Sequence, residues 1–103
     1  MKRYVLTPAA QADLEGIWDY TALNWGQDQA ERYTTEIRNA LDGLVAGTRR
    51  ARSIAEVKPG YSKYAVGSHV LFIRGSQAGN IEVVRILHGR MDVKARLDQP
   101  KEE

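Results

Sequence analysis

The chain opens with two long segments of helical periodicity. Apolar residues recur every three or four positions over 10–25 and again over 30–45, the spacing of one buried helix face. The first stripe is Ala10, Leu14, Ile17, Trp18, Thr21 and Trp25, and the second is Ala30, Tyr33, Ile37, Leu41, Leu44 and Val45. We predict two amphipathic helices, joined by the short break at 24–26 into an antiparallel hairpin. Their aromatic residues are expected in the core.

Local signals set the ends of these helices. Thr7 followed by Pro8 is typical of an N-cap and a first helical position, where the missing N–H of proline costs nothing. Gly47 suits the position just after the second helix. Residues 3–7, before the first helix, predict a short strand.

Three further segments, 61–66, 69–74 and 80–88, have strand character. Gly67-Ser68 predicts a two-residue type II′ hairpin turn, and 75–79 a longer hairpin loop. Residues 48–60 form a basic connection without periodicity, and 89–97 predict a short terminal helix. The order is therefore β-α-α-β-β-β. We predict an α+β fold in which the N-terminal helical hairpin packs on one face of a small, mostly antiparallel sheet.

Length and composition limit the classes of protein to which the chain can belong. With 103 residues, the chain is expected to form one domain over 1–97, followed by a frayed tail over 98–103. The absence of cysteine excludes disulfides and thiolate metal sites. No segment reaches the ~20 apolar residues of a membrane span. The N-terminus lacks the apolar run of a signal peptide, so we expect a cytoplasmic protein.

The last two strands are apolar on both sides. Strict alternation places Ile81, Val83, Arg85 and Leu87 on one face of the last strand, and Val84 and Ile86 on the other. In the preceding strand, Leu71 and Ile73 oppose Val70 and Phe72. A sheet covered on one face only should alternate apolar and polar residues. One helical hairpin covers one face, so we expect the second face to be partly open, as a binding surface or an aggregation liability.

Charge is unevenly distributed along the chain. Residues 1–48 carry four Lys/Arg and seven Asp/Glu, whereas 49–96 carry ten Lys/Arg and three Asp/Glu. The basic second half predicts an acidic partner, either nucleic acid or an acidic protein segment. The alternative is a solvated surface whose charge balances over the whole domain.

Most catalytic chemistry is absent from the sequence. There is no phosphate-binding glycine loop, and no carboxylate cluster joins His69 and His88, so neither a metal nor a cofactor is predicted. The remaining enzymatic hypothesis is metal-free RNA cleavage, which needs an acid, a base and cations for the phosphate. The residues available for it are Lys63, Arg74, Arg85, His88 and Arg90.

Each of these residues also has a structural interpretation. Arg85 can pair with a helix carboxylate such as Asp13 or Glu15. His88 can make a structural hydrogen bond where the last strand closes. Arg74 can lie in solvent or bond within its hairpin.

Four segments together resemble the ParE toxins of the RelE/ParE toxin–antitoxin superfamily. They are Y-x-L-T-P-A-A-x-A-D-L-x-x-I-W-D-Y (4–20), W-G-x-x-Q-A-E-R-Y (25–33), V-G-S-H-V-L-F (66–72) and I-E-V-V-R-I-L-H-x-R-M-D (81–92). The resemblance implies a helical hairpin packed on a small sheet. It also implies a ParD-type antitoxin, whose acidic amphipathic C-terminal segment wraps the toxin. The implied target is DNA gyrase, inhibited by binding without catalysis, with no membrane and no sequence-specific nucleic-acid binding by the toxin alone.

The resemblance and the residue pattern together give two candidate surfaces. The antitoxin-binding candidates are Val70, Phe72, Arg74, Val84, Arg85, Ile86, His88, Arg90 and Met91. The target-contact candidates are Arg49, Arg50, Arg52, Lys94 and Arg96. An acidic segment that folds on binding would bury its apolar side on the sheet and place its acids near the arginines.

Two other functions stay open at this point. The RelE-type relatives implied by the resemblance are ribosome-dependent mRNA interferases, with a tyrosine or histidine near the end of the last strand. Here no tyrosine follows Leu87, so His88 alone must act as both acid and base. The second alternative is a non-toxic binding module that only sequesters an antitoxin.

Overall fold

The computed structural model describes residues 3–76 and 79–89. The elements in chain order are β1 (Tyr4–Leu6), α1 (Pro8–Trp25), α2 (Gln27–Ala46), β2 (Arg52–Ser53), β3 (Tyr61–Val66), β4 (His69–Gly75) and β5 (Ile81–His88). The helical hairpin and the four predicted strands are confirmed. The basic connection adds one two-residue strand, β2, that the sequence did not reveal. The predicted terminal helix over 89–97 and the tail over 98–103 lie outside the described residues, apart from Gly89 in a turn.

The strands form one mixed sheet in the order β1-β5-β4-β3-β2. β1 runs parallel to β5, and every other neighbouring pair is antiparallel. The helical hairpin carries the chain across the sheet, from β1 at one edge towards β2 at the other edge. The predicted α+β fold with a mostly antiparallel sheet is therefore confirmed, and β4 and β5 are its central antiparallel pair.

Thr7 connects the start of α1 to the centre of the sheet. Its side chain accepts the Ala10 N–H at 3.0 Å as an N-cap, and its hydroxyl donates to the Val84 carbonyl at 2.8 Å. The Thr7 N–H also donates to the Val83 carbonyl at 3.0 Å. The cap predicted from Thr7-Pro8 therefore sets both where the helix begins and where it lies on β5.

A β-bulge in β5 reverses the side-chain alternation. Phe72 pairs with Arg85, but Ile73 pairs with Val83, so Val84 is an extra residue in β5. Val83 and Ile86 consequently both pack in the core beneath the helices, while Val84 and Leu87 pack on the opposite face. The predicted faces of Ile86 and Leu87 were wrong because strict alternation assumes an unbroken strand.

The second face of the sheet has a core of its own. Phe72 and Leu87 are buried there with Ile54 and Tyr61. Ile54 follows β2, and its N–H donates to the Tyr61 carbonyl at 2.9 Å, which holds the connection against the sheet. The expectation of an open apolar face was therefore wrong at Phe72 and Leu87, because the connection covers them.

Exposed apolar surface lies instead at the end of α1. Tyr20, Leu23 and Trp25 are 67%, 86% and 73% exposed, and we call these three residues the hairpin-tip surface. The prediction that Trp25 lies in the core was wrong, since the buried stripe of α1 ends at Thr21. Trp18 is half-buried, and its Nε1–H donates to Glu31 at 3.3 Å.

The Asp13 carboxylate joins α1 to β5 next to the bulge. It accepts Arg85 Nε–H at 2.7 Å, Arg85 Nη2–H at 2.9 Å and the Ile86 N–H at 2.9 Å. The Asp13 and Arg85 side chains are only 13% and 14% exposed, and the hydrogen bond to Asp13 raises the pKa of Arg85. The predicted pairing of Arg85 with a helix carboxylate is confirmed, with Asp13 as the partner.

We expect Asp13→Ala to lower the free energy of unfolding by about 2–4 kcal/mol, somewhat less than for a fully buried pair. The substitution leaves the Arg85 guanidinium and the Ile86 N–H without their acceptor. Urea denaturation measures the change, and Glu15→Ala, an exposed carboxylate two residues further along α1, is the matched control. Equal stabilities of the two variants would refute this role for Asp13. The double variant Asp13→Leu/Arg85→Met should recover part of the loss, since no unpaired charge is left buried.

Candidate functional site

Two histidines meet where the central hairpin of the sheet ends. His69, the first residue of β4, pairs directly with His88, the last residue of β5. The Gly89 N–H donates to the Ser68 carbonyl at 3.0 Å, so the histidines occupy the adjacent non-hydrogen-bonded position, where side chains approach most closely. Their ring centroids are 5.4 Å apart in an edge-to-face arrangement.

Tyr33 of α2 completes this cluster. Its hydroxyl shares a 2.7 Å hydrogen bond with His69 Nδ1, accepts the Ser68 N–H at 3.1 Å and lies 3.1 Å from the Val66 carbonyl oxygen. Gly67 has a φ of 56°, and a Cβ on it would fall 2.6 Å from the Tyr33 ring. The β3–β4 turn therefore needs glycine both for its backbone and for the close approach of Tyr33.

The surroundings of His69 and Tyr33 disfavour a charge on either side chain. Burial lowers the pKa of His69, the neighbouring imidazole of His88 lowers it further, and Asp13 opposes both effects. Burial also raises the pKa of Tyr33, which keeps its hydroxyl protonated. Tyr33 and His69 consequently form a hydrogen-bonded pair and not an ion pair.

An open groove runs past the two histidines. The start of α2 and the turn after β3 form its walls, with two members of the hairpin-tip surface at its rim. The side chains that matter for its chemistry are Tyr20, Trp25, Asp28, Arg32, Tyr33, His69 and His88. Sequence reasoning missed this site because it assigned Tyr33 to the core and treated the histidines as separate. The β4–β5 register that joins them depends on the bulge.

The arginines of the central strands are engaged elsewhere. Arg74 donates from Nε to the Glu82 carboxylate, and its guanidinium lies 5.8 Å from the centre of the Tyr61 ring. It stands five residues along β4 from His69, about 17 Å at strand spacing. Arg85 is held by Asp13. The structure therefore does not gather Arg74, Arg85 and His88 into one catalytic cluster, and Arg90 lies outside the described residues.

The residues that the sequence predicted to bind the antitoxin do not lie on one surface. Val70 and Val84 are partly buried on the second face, Phe72 is fully buried there, and Ile86 is buried beneath the helices. Met91 lies outside the described part of the chain, as do Lys94 and Arg96.

Arg49, Arg50 and Arg52 are exposed after α2 and in β2. The aliphatic part of Arg49 packs over Gly43, where a Cβ would come within 2.8 Å of Arg49 Cδ.

Two features are absent from residues 3–76 and 79–89. No group of three or more His, Asp or Glu side chains there is arranged to hold a metal ion. None of the described helices is long and apolar enough to cross a membrane.

Comparison with known proteins identifies the family. The family profile described as "ParE toxin of type II toxin-antitoxin system, parDE" matches residues 4–93. Toxin ParE1 of Mycobacterium tuberculosis (strain CDC 1551 / Oshkosh) is 53% identical over 95 residues, which are 92% of this chain and 97% of that protein. Toxin ParE of Escherichia coli is 35% identical over 97 residues, 94% of each chain.

The same fold occurs in a solved structure. A chain from the structure described as "Chromosomal ParDE TA system from P. aeruginosa" superposes with a TM-score of 0.68 at 24% sequence identity, covering 85% of this chain and 95% of that one. This likeness concerns the fold, and it agrees with the helical hairpin on a small sheet that the sequence motifs implied. The resemblance drawn from those motifs is confirmed: this chain belongs to the ParE toxin family of type II toxin–antitoxin systems.

Proposed function

We propose that this ParE-family toxin acts by binding DNA gyrase and is neutralised by a ParD-type antitoxin. One observation supports binding over catalysis: both described arginines of the central strands serve in ion pairs, Arg85 with Asp13 and Arg74 with Glu82. The family supplies the toxin class, and the names of its relatives, such as Toxin ParE1, agree with it.

RNA cleavage places stricter demands on the site. It needs an acid, a base and a cation arranged around one phosphate. His69 and His88 supply imidazoles, but His69 Nδ1 is already bonded to Tyr33. Arg32, which lines the same groove, bonds Gln29 on its own helix. The described residues thus favour a protein-binding surface over a nuclease centre.

The proposed antitoxin surface is smaller than the sequence suggested. It centres on Val70 and Val84, which stay partly exposed on the second face. Arg74, 48% exposed, offers its charge at the far end of the same sheet. The proposed target surface contains Arg50 and Arg52, two exposed cations without an ion pair among the described residues.

We expect the purified protein to inhibit gyrase supercoiling and to leave ribosome-bound mRNA intact. His88→Ala should retain inhibition within about twofold, because a binding mechanism needs no acid–base residue at this position. Arg50→Ala/Arg52→Ala should lose most inhibition, with Arg32→Ala/Arg38→Ala as a control that removes the same charge elsewhere. mRNA cleavage that His88→Ala abolishes, together with unaffected gyrase, would instead establish the interferase. Absence of both activities and harmless expression would indicate the antitoxin-sequestering module.

We expect Val84→Lys to weaken binding of the ParD-type protein encoded beside this chain by at least about tenfold, because it buries a charge at the proposed interface. Val5→Lys is the matched control, since Val5 is a 49% exposed valine of the edge strand β1. Titration calorimetry measures affinity, and thermal unfolding verifies that both variants are folded. Equal affinities of the two folded variants would remove Val84 from the antitoxin surface.

A further inference from the structure

We propose that His69 and His88 form a binding site for one divalent transition-metal ion, with Zn²⁺ as the reference ion. The site consists of two imidazole ligands, with the other coordination positions taken by water. This inference does not depend on the proposed action against gyrase.

The first argument is the separation of the two rings. The histidines are direct cross-strand partners at a non-hydrogen-bonded position, and their ring centroids are 5.4 Å apart. A tetrahedral Zn²⁺ with Zn–N bonds of about 2.0–2.1 Å holds the centres of two imidazole ligands on the order of 5 Å apart. The backbone thus already provides the spacing, and ligation replaces the present edge-to-face contact of the rings.

The second argument is the orientation of His69. Its Nδ1 is bonded to the Tyr33 hydroxyl at 2.7 Å, so Nε2 is the nitrogen that takes the metal. Metal-bound histidines characteristically hold their second ring nitrogen in a hydrogen bond of this kind, which fixes tautomer and ring direction. Tyr33 is itself fixed by the Ser68 N–H and by close packing on Gly67. We therefore assign Tyr33 as a positioning residue.

The third argument is access. Both histidines line the open groove, so the described residues leave them accessible to a hydrated ion. Imidazole ligands suit Zn²⁺, Cu²⁺ and Ni²⁺ better than Mg²⁺ or Ca²⁺. Bound metal would tie the ends of β4 and β5 together and occupy the groove beside the hairpin-tip surface.

The test titrates tag-free, chelator-stripped protein with ZnCl2 and follows the imidazole signals by NMR. The chain has only two histidines, so both ring signals are readily assigned. We expect both to shift together at one metal per chain, and Tm to rise with free Zn²⁺ because the metal binds the folded state. MgCl2 should produce neither effect. A shift of only one ring, or of neither, would overturn the two-ligand site.

Variants separate ligation from structural roles. His88→Gln should weaken Zn²⁺ binding by at least about tenfold, and Tyr33→Phe by about 10–100-fold, as for other groups that orient a metal ligand. His69→Gln provides a second ligand variant, and Tm without metal verifies that each variant is folded. Glu56→Gln, an exposed carboxylate of the connection, is the matched control. Wild-type affinity in the folded double variant His69→Gln/His88→Gln would refute the proposal.

Discussion

The contact of the Asp13 carboxylate with β5 is the interaction on which the rest of this structure depends. It collects two guanidinium donors and one backbone donor from β5, beside an extra residue in that strand. The Ile86 N–H lies in a non-hydrogen-bonded pair with Leu71 and beyond the last paired residue of β1, and Asp13 supplies its acceptor. Because the bulge reverses the alternation, Ile86 turns into the core beneath the helices. His88, two residues further on, shares that side and meets His69.

This arrangement also decides what the strand arginines can do. An arginine that neutralises a nearly buried carboxylate cannot serve a phosphate without leaving that carboxylate unpaired, which costs several kcal/mol. Arg85 is bound in this way. Arg74 is more exposed, but it sits at the opposite end of β4 from the histidines. Arg85 therefore stabilises the fold, and Arg74 lies too far from the histidines to act with them, which supports the proposed action through binding.

Local sequence patterns predicted most of the fold. The candidate site depends on features that such patterns do not indicate. Helical periodicity, Thr7-Pro8 and Gly67-Ser68 are short-range signals, and they placed both helices and the β3–β4 hairpin. The bulge at Val84 has no such signal, because one extra residue in an apolar run leaves the composition unchanged. The pairing of His69 with His88 and the face of Ile86 both depend on it. The cover of Phe72 by Ile54 is likewise a tertiary contact within a segment that lacks periodicity.

These contacts distinguish the basic residues that are already in ion pairs from those that are not. The basic half of the sequence suggested an acidic partner, with the strand arginines as its contacts. In the structure, Arg74 and Arg85 already face carboxylates, whereas Arg49, Arg50, Arg52 and Lys63 form no ion pair among the described residues. Arg52 and Lys63 are direct partners across β2 and β3, at the edge of the sheet opposite β1. Exposed charges without a partner attract an acidic surface more strongly than neutralised ones do. These four residues are therefore better placed to attract an acidic surface than Arg85, which is held by Asp13.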